Sequence, residues 1–170
     1  MTAPTPTTTA LKPAVKPPYE LVCSPAYLLK RLGMKVKERT IEAYEAVGAN
    51  PFYYSVLAVL EEGARDTQAT IADALGYDRS WLVGILDELE AADLIERRRD
   101  PGDRRRHLVS LTPVGKKKLA QLRKISRGVE DELLSSLDAE QREQLHRLLL
   151  QVAADHDPRY APAAGDKTPA

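Results

Sequence analysis

The 170 residues carry 25 basic and 25 acidic side chains, so no global field draws the chain to a polyanion. Any such site must come from local clustering. The length fits one compact domain with tails and excludes a large multidomain enzyme. A single cysteine, Cys23, excludes an internal disulfide and zinc sites built from several cysteines. Nothing approaches the run of about 18 apolar residues that a membrane span needs, and the N-terminus lacks the apolar stretch of a signal peptide. The expectation is a cytoplasmic protein with no membrane partner.

Residues 1–18 hold five prolines among Thr, Ala and Lys, and residues 155–170 hold three more with a glycine. Both segments offer too little apolar surface to offset their ordering entropy and are expected to be disordered tails. The domain between them, residues 19–154, reads mainly as helices. Residues 25–47 place Leu29, Leu32, Val36, Tyr44 and Val47 near a 3.6-residue period. Asn50-Pro51 has the form of a cap followed by a first-turn proline, opening a helix through Val56, Leu57, Val59 and Leu60 that Gly63 stops. Thr67 caps a short helix burying Ile71 and Leu75, with Gly76 suited to the left-handed position at its end. Asp78 caps the next, whose Leu82, Ile85, Leu86 and Leu89 fall on one face. Two short helices joined across a glycine turn are a helix-turn-helix pattern.

The period then changes. Leu94–Arg98 and His107–Leu111 read as short strands around Asp100-Pro101-Gly102-Asp103, a turn sequence. Thr112-Pro113 restarts a helix running toward Leu137. Asp138 and Gln141 form a capping-box pair before a last helix with Leu145, Leu148, Leu149 and Val152 as its apolar stripe. The fold class is mainly α with a small β-hairpin wing: a winged helix-turn-helix core over about 51–112, flanked by helices over about 25–47 and 113–153. The flanking helices carry stripes that the small core cannot cover, so a symmetric dimer is expected to bury them.

The hairpin is the strongest charge concentration. Arg97, Arg98, Arg99, Arg104, Arg105 and Arg106 lie within ten residues, beside Asp100 and Asp103. Guanidinium groups stay charged, grip phosphate with two parallel donors and fit a narrow minor groove. A hairpin armed in this way can hold one groove of double-stranded DNA while a helix enters the next.

At this point the sequence resembles the MarR family of winged-helix regulators. The resemblance covers roughly residues 25–153 and is carried by Leu89-Glu90-Ala91-Ala92-Asp93-Leu94-Ile95-Glu96-Arg97, by Asp100-Pro101-Gly102-Asp103-Arg104-Arg105 and by Leu111-Thr112-Pro113-Val114-Gly115. It implies a homodimer that binds a pseudo-palindromic operator, usually as a repressor released by a small molecule or oxidant. It also implies that Arg105 is a minor-groove finger, that Asp103 holds the wing in shape, and that Arg97 supports that geometry or touches phosphate. Arg98 and Arg104 join this basic set.

The expected recognition helix departs from the family pattern. Arg79 and Ser80 remain at its start, but Trp81, Val83 and Gly84 stand where small hydroxyl residues and a basic residue are usual. Val83 can meet a thymine methyl. Gly84 signals either close approach or relaxed selection on DNA contact. Trp81 either stacks on sugar-phosphate or folds back as core. The resemblance places a ligand pocket beside the winged core, where Tyr27, Tyr44, Phe52, Tyr53 and Tyr54 are candidates to line it for an aromatic or amphipathic effector.

Cys23 lies about one turn before the position used by peroxide-sensing relatives and is read as a buried or inert thiol. His107, His146 and His156 lack ligand spacing, so no metal is expected. With no phosphate-cradling glycine motif and no nucleophile–base set, neither catalytic residues nor cofactors are expected. Carboxylates such as Glu61, Asp87 and Glu88 read as solvated helix faces. Two alternatives to an operator-reading regulator remain: a MarR-like dimeric module that binds ligand or protein without reading an operator, and an oxidant sensor using Cys23.

Overall fold

The computed structural model describes residues 15–63, 67–102 and 107–161. The chain divides into two compact units, Met1–Lys35 and Val36–Ala170, taken separately below.

The first unit contains a single helical turn, α1 (Tyr19–Val22), and the beginning of α2 (Pro25–Glu45). No residue of α1 is buried, and Cys23 at its end is exposed. Of the two expectations for this thiol, buried or inert, the first fails, because one turn has no apolar face large enough to cover it. Leu28, Leu29 and Leu32 on α2 are exposed as well.

The second unit holds the rest of α2, then α3 (Tyr53–Glu61), α4 (Gln68–Leu75), α5 (Arg79–Ala91), the antiparallel pair β1 (Ile95–Arg99) and β2 (His107–Leu111), α6 (Pro113–Leu133) and α7 (Ala139–His156). Side-chain caps fix four helix starts. Thr67 accepts from Thr70 N–H, Asp78 from Trp81 N–H, Thr112 from Gly115 N–H and Asp138 from Gln141 N–H. Each satisfies an orphan donor and contributes about 1 kcal/mol. Gly76 ends α4 at φ 66°, a conformation that costs a Cβ-bearing residue.

Several boundaries differ from those read off the sequence, among them the following three. The Asn50 side chain closes a turn onto Phe52 N–H at 3.0 Å and its carbonyl accepts from Tyr53 N–H at 3.0 Å, so α3 begins two residues after Pro51. Asp93 takes a left-handed φ of 56°, which delays β1 to Ile95. At the other end, α7 continues to His156 and a 3₁₀ turn, Pro158–Tyr160, follows. The expected disordered tail from 155 therefore starts too early: Asp157 caps the turn and clamps the Arg159 guanidinium, which lies against Gly76.

The core is one cluster in which Val56, Leu57 and Leu60 of α3 meet Ile71 of α4, Leu82, Ile85, Leu86 and Leu89 of α5, Ile95 and Val109 of the hairpin, and Leu119 and Leu122 of α6. Full burial of each large aliphatic side chain contributes about 1.5–3 kcal/mol before entropy is charged. The hairpin is locked to α6 at Thr112, whose hydroxyl donates to the Asp93 carbonyl at 2.6 Å and whose N–H donates to the Leu94 carbonyl at 3.1 Å. Gly115, one turn on, is buried so tightly against that carbonyl that a Cβ would collide with it. This joint is the physical content of Leu111-Thr112-Pro113-Val114-Gly115. By contrast α7 buries none of its residues, and Leu148, Leu149 and Val152 stand exposed.

Candidate DNA interface and effector cavity

α5 is the second helix of the pair α4–α5, and its two halves have different electrostatics. The N-terminal half exposes Arg79, Ser80 and Gly84, with Val83 half-buried beside them. Arg79 is loosely tied, its guanidinium 3.2 Å from Asp73 and largely exposed. A Cβ on Gly84 would meet nothing within 4 Å.

The C-terminal half carries three carboxylates that are already engaged. Arg97 of β1 places Nη2 2.5 Å from Asp87 Oδ1 and 2.6 Å from Glu90 Oε2, and its Nε donates to the same Glu90 oxygen at 2.8 Å. The Arg97 hydrogen bond holds the Glu90 carboxyl below its ordinary value. Glu88 Oε2 accepts from Asn50 Nδ2 and from Tyr53 Oη, each at 3.1 Å. Asp87 and Glu88 are exposed, as expected, and both also bond α5 to its neighbours. The Arg97 guanidinium is held by Asp87 and Glu90 of α5 and is only 22% exposed.

Hairpin register sets the rest. Arg97 pairs with Val109, Arg98 with Leu108 and Arg99 with His107. Arg97 lies on the same side as the buried Ile95 and Val109, whereas Arg98 is on the other side, 74% exposed and paired with Glu96 at 2.8 Å. Asp103, Arg104 and Arg105 lie outside the described residues.

Trp81 packs on aromatic neighbours without joining the buried core. Its ring meets Phe52 edge-on at 4.6 Å and Tyr77 at 5.1 Å, and Phe52 meets Tyr77 at 6.0 Å. Three such contacts contribute about 0.5–1.5 kcal/mol each beyond the area they bury. Trp81 nevertheless keeps 40% exposure.

Behind this triad is an apolar cavity of about 400 Å³, bounded among others by Lys37, Tyr44, Phe52, Tyr54, Tyr77 and Ser126. Of the expected ligand-lining aromatics it brings together Tyr44, Phe52 and Tyr54. Tyr53 does not line it, since its hydroxyl is drawn to Glu88 on the α5 side. Tyr27 belongs to the N-terminal unit and is half-buried near the start of α2. Sequence reasoning missed Tyr77, Lys37 and Ser126. Tyr77 sits in the helix-turn-helix turn, where no periodicity marks it. The Tyr44 hydroxyl is fully buried and has no hydrogen-bond partner of acceptable geometry among the described residues, although Ser126 is nearby. Burial pushes this phenol above its ordinary value. A buried hydroxyl left unsatisfied costs about 1–3 kcal/mol, so it is a ready partner for an incoming polar group.

Among the described residues no set of three His, Cys, Asp or Glu side chains is arranged to hold a metal, and no helix is long and apolar enough to cross a membrane. A recognition helix set on a helix-turn-helix scaffold and braced by a two-stranded wing defines a winged-helix DNA-binding protein. The profile described as MarR family matches residues 48–106. The chain is 27% identical over 150 residues to the HTH-type transcriptional repressor NicR of Pseudomonas putida, covering 86% of this chain and 92% of that one. It superposes with TM-score 0.73 on the transcriptional repressor CouR bound to a 23-mer DNA duplex, at 33% identity over 82% of this chain and 99% of that one. CouR from Rhodococcus jostii RHA1 bound to p-coumaroyl-CoA gives TM-score 0.67 at 26% identity, over 86% and 98%. The chain belongs to the MarR family, and it is a DNA-binding transcriptional regulator.

Proposed function

We propose that this regulator is a homodimeric repressor that reads a pseudo-palindromic operator and is released by a small aromatic effector. The division of α5 carries the reading. Its carboxylates are held by Arg97, Asn50 and Tyr53, which leaves Arg79, Ser80 and Gly84, with the half-buried Val83, as the leading edge. Recognition helices contact bases chiefly through their N-terminal residues. Small side chains on that edge let the helix backbone approach the groove floor, while Arg79 swings from Asp73 to phosphate. The wing follows: Arg98 and Arg104 meet phosphate, Arg105 enters the flanking minor groove, and Asp103 fixes the turn. Trp81 contributes by positioning the helix rather than by reading a base.

A second copy supplies the symmetry. Leu148, Leu149 and Val152 on α7 and Leu28, Leu29 and Leu32 on α2 are exposed in the single chain, and burying such stripes is the natural driving force for pairing. Two half-sites one DNA turn apart, about 34–36 Å, then match the dimer. The cavity is the effector site. Its volume falls in the range of about 300–1,000 Å³ usual for small-molecule sites, its walls are aromatic, Lys37 offers a cation and Tyr44 an unpaired hydroxyl. These groups favour a planar aromatic compound with an anionic or carbonyl substituent, a chemistry shared with the p-coumaroyl-CoA bound by CouR. No catalytic step is assigned to the chain.

The test is selection from random duplex DNA with the full-length protein. An enriched inverted repeat supports the reading. Binding that is salt-sensitive but blind to sequence would replace it with a dimeric module that has lost operator recognition.

A further inference from the structure

Phe52 and Tyr77 each have two contacts in use: both line the cavity, and both pack edge-on with Trp81. Tyr77 is held in place by its hydroxyl, 3.0 Å from Ser55 Oγ, and Ser55 is itself a cavity wall that donates to the Phe52 carbonyl at 3.0 Å. Trp81 is in the first turn of α5, three residues after the cap. Two turns further along α5, Glu88 grips the same short segment, Asn50 to Tyr53, through two hydrogen bonds. The cavity wall at residues 50–53 is therefore fastened to the recognition helix at two points, one aromatic and one polar. Among the described residues none of those that line the cavity lies on β1 or β2.

We infer that the Phe52–Tyr77–Trp81 triad is the link through which occupancy of the cavity sets the attitude of the recognition helix, with Trp81 as a positioning residue. An aromatic occupant that wedges against Phe52 and Tyr77 displaces the two rings on which Trp81 rests. Trp81 and the first turn of α5 move with them, while Glu88 transmits the shift of the 50–53 segment to the second half of the helix. The leading edge, Arg79 to Gly84, then no longer matches the groove. Packed rings have discrete arrangements, so a small displacement at one face becomes a defined one at the other. This inference rests on the reading of the cavity as the effector site.

It is tested without any ligand, by filling the cavity from its far wall. Ser126→Phe adds a ring into the space, and Thr40→Leu is a smaller filler should the first fail to fold. Operator affinity of the full-length protein is measured by fluorescence anisotropy for each filler, alone and combined with Trp81→Leu, as a double-mutant cycle. Filling should weaken operator binding at least tenfold with Trp81 present and less than twofold in the Trp81→Leu background. Trp81 is the chain's sole tryptophan, so the filler should also shift its emission in the DNA-free protein. Equal losses in both backgrounds overturn the link, as does a filler that folds and leaves affinity and emission unchanged. Calorimetric titration of p-coumaroyl-CoA separates the two levels. A probe that binds wild-type protein and releases DNA equally well from Trp81→Leu leaves the effector site standing and removes the triad from its mechanism.

Discussion

Replacing Gly84 with Ala probes the recognition helix with one methyl group. Gly84 lies in the interior of α5, and a Cβ there meets no atom within 4 Å, so the methyl brings neither clash nor new burial. What remains is the backbone term: glycine is about 0.8–1.0 kcal/mol less favourable than alanine in a helix interior. Gly84→Ala should therefore stabilise the protein by about 0.8–1 kcal/mol, which for a domain of this size raises the melting temperature by about 2–4 °C. The same methyl projects from the edge that carries Ser80, which the proposed reading turns toward the groove. Operator affinity should fall about tenfold, or 1.4 kcal/mol. No charge changes, so the slope of affinity against salt stays the same. Urea unfolding at fixed protein concentration reads the first quantity, and fluorescence anisotropy on the selected operator across a salt series reads the second. A more stable variant with undiminished affinity would show that Gly84 does not face the groove. A variant with no gain in stability would show that α5 is not a regular helix there.

Other substitutions test neighbouring links. Arg97→Met should leave Asp87 and Glu90 repelling each other across α5 and weaken operator binding by loosening the wing, which faster amide exchange over β1 and β2 would register. The same brace gives a pH dependence. Arg97 lowers the folded-state Glu90 value below the usual 4.5, so its stabilisation is complete above that value and is lost as the pH falls through the lower, folded one. The stability difference between wild type and Arg97→Met should therefore shrink on acidification below about pH 4.5; a constant difference would rule out the brace. Gly115→Ala drives a methyl into the Leu94 carbonyl and should destabilise by about 1–3 kcal/mol or more, as rigid overpacking does, measured by the urea midpoint. Tyr44→Phe removes a buried hydroxyl without a partner and should raise stability by about 1 kcal/mol while weakening effector binding in calorimetry; a loss of stability would mean that the hydroxyl is satisfied in the unliganded protein.

What the sequence made legible was local. Thr67, Asp78, Thr112 and Asp138 were readable as helix starts because a cap acts on an N–H two or three residues away. The hairpin was readable because its turn residues and its change of period are adjacent. Boundaries set by longer-range demands were not. α1 is too short to show a period, and Asn50 looked like a cap while its side chain instead closes a turn onto Phe52. The site divided along the same line. Arg79, Ser80 and Gly84 reach the surface as their helical spacing implied, and Tyr44, Phe52 and Tyr54 share one cavity. Pairings between elements stayed hidden: Arg97 with Asp87 and Glu90, Glu88 with Asn50 and Tyr53, Trp81 with Phe52. Each joins residues on different elements, and charge or aromaticity alone does not say which partner is met.

The central claim is that two copies of this chain place two α5 helices in successive major grooves of one operator. Its most direct measurement is hydroxyl-radical footprinting of the selected duplex, with the mass of the complex taken by sedimentation equilibrium. The account predicts one dimer per duplex, with two symmetric protected patches one helical turn apart and flanking minor-groove protection that disappears in Arg105→Ala. A single protected patch, or one protomer bound per duplex, would contradict it.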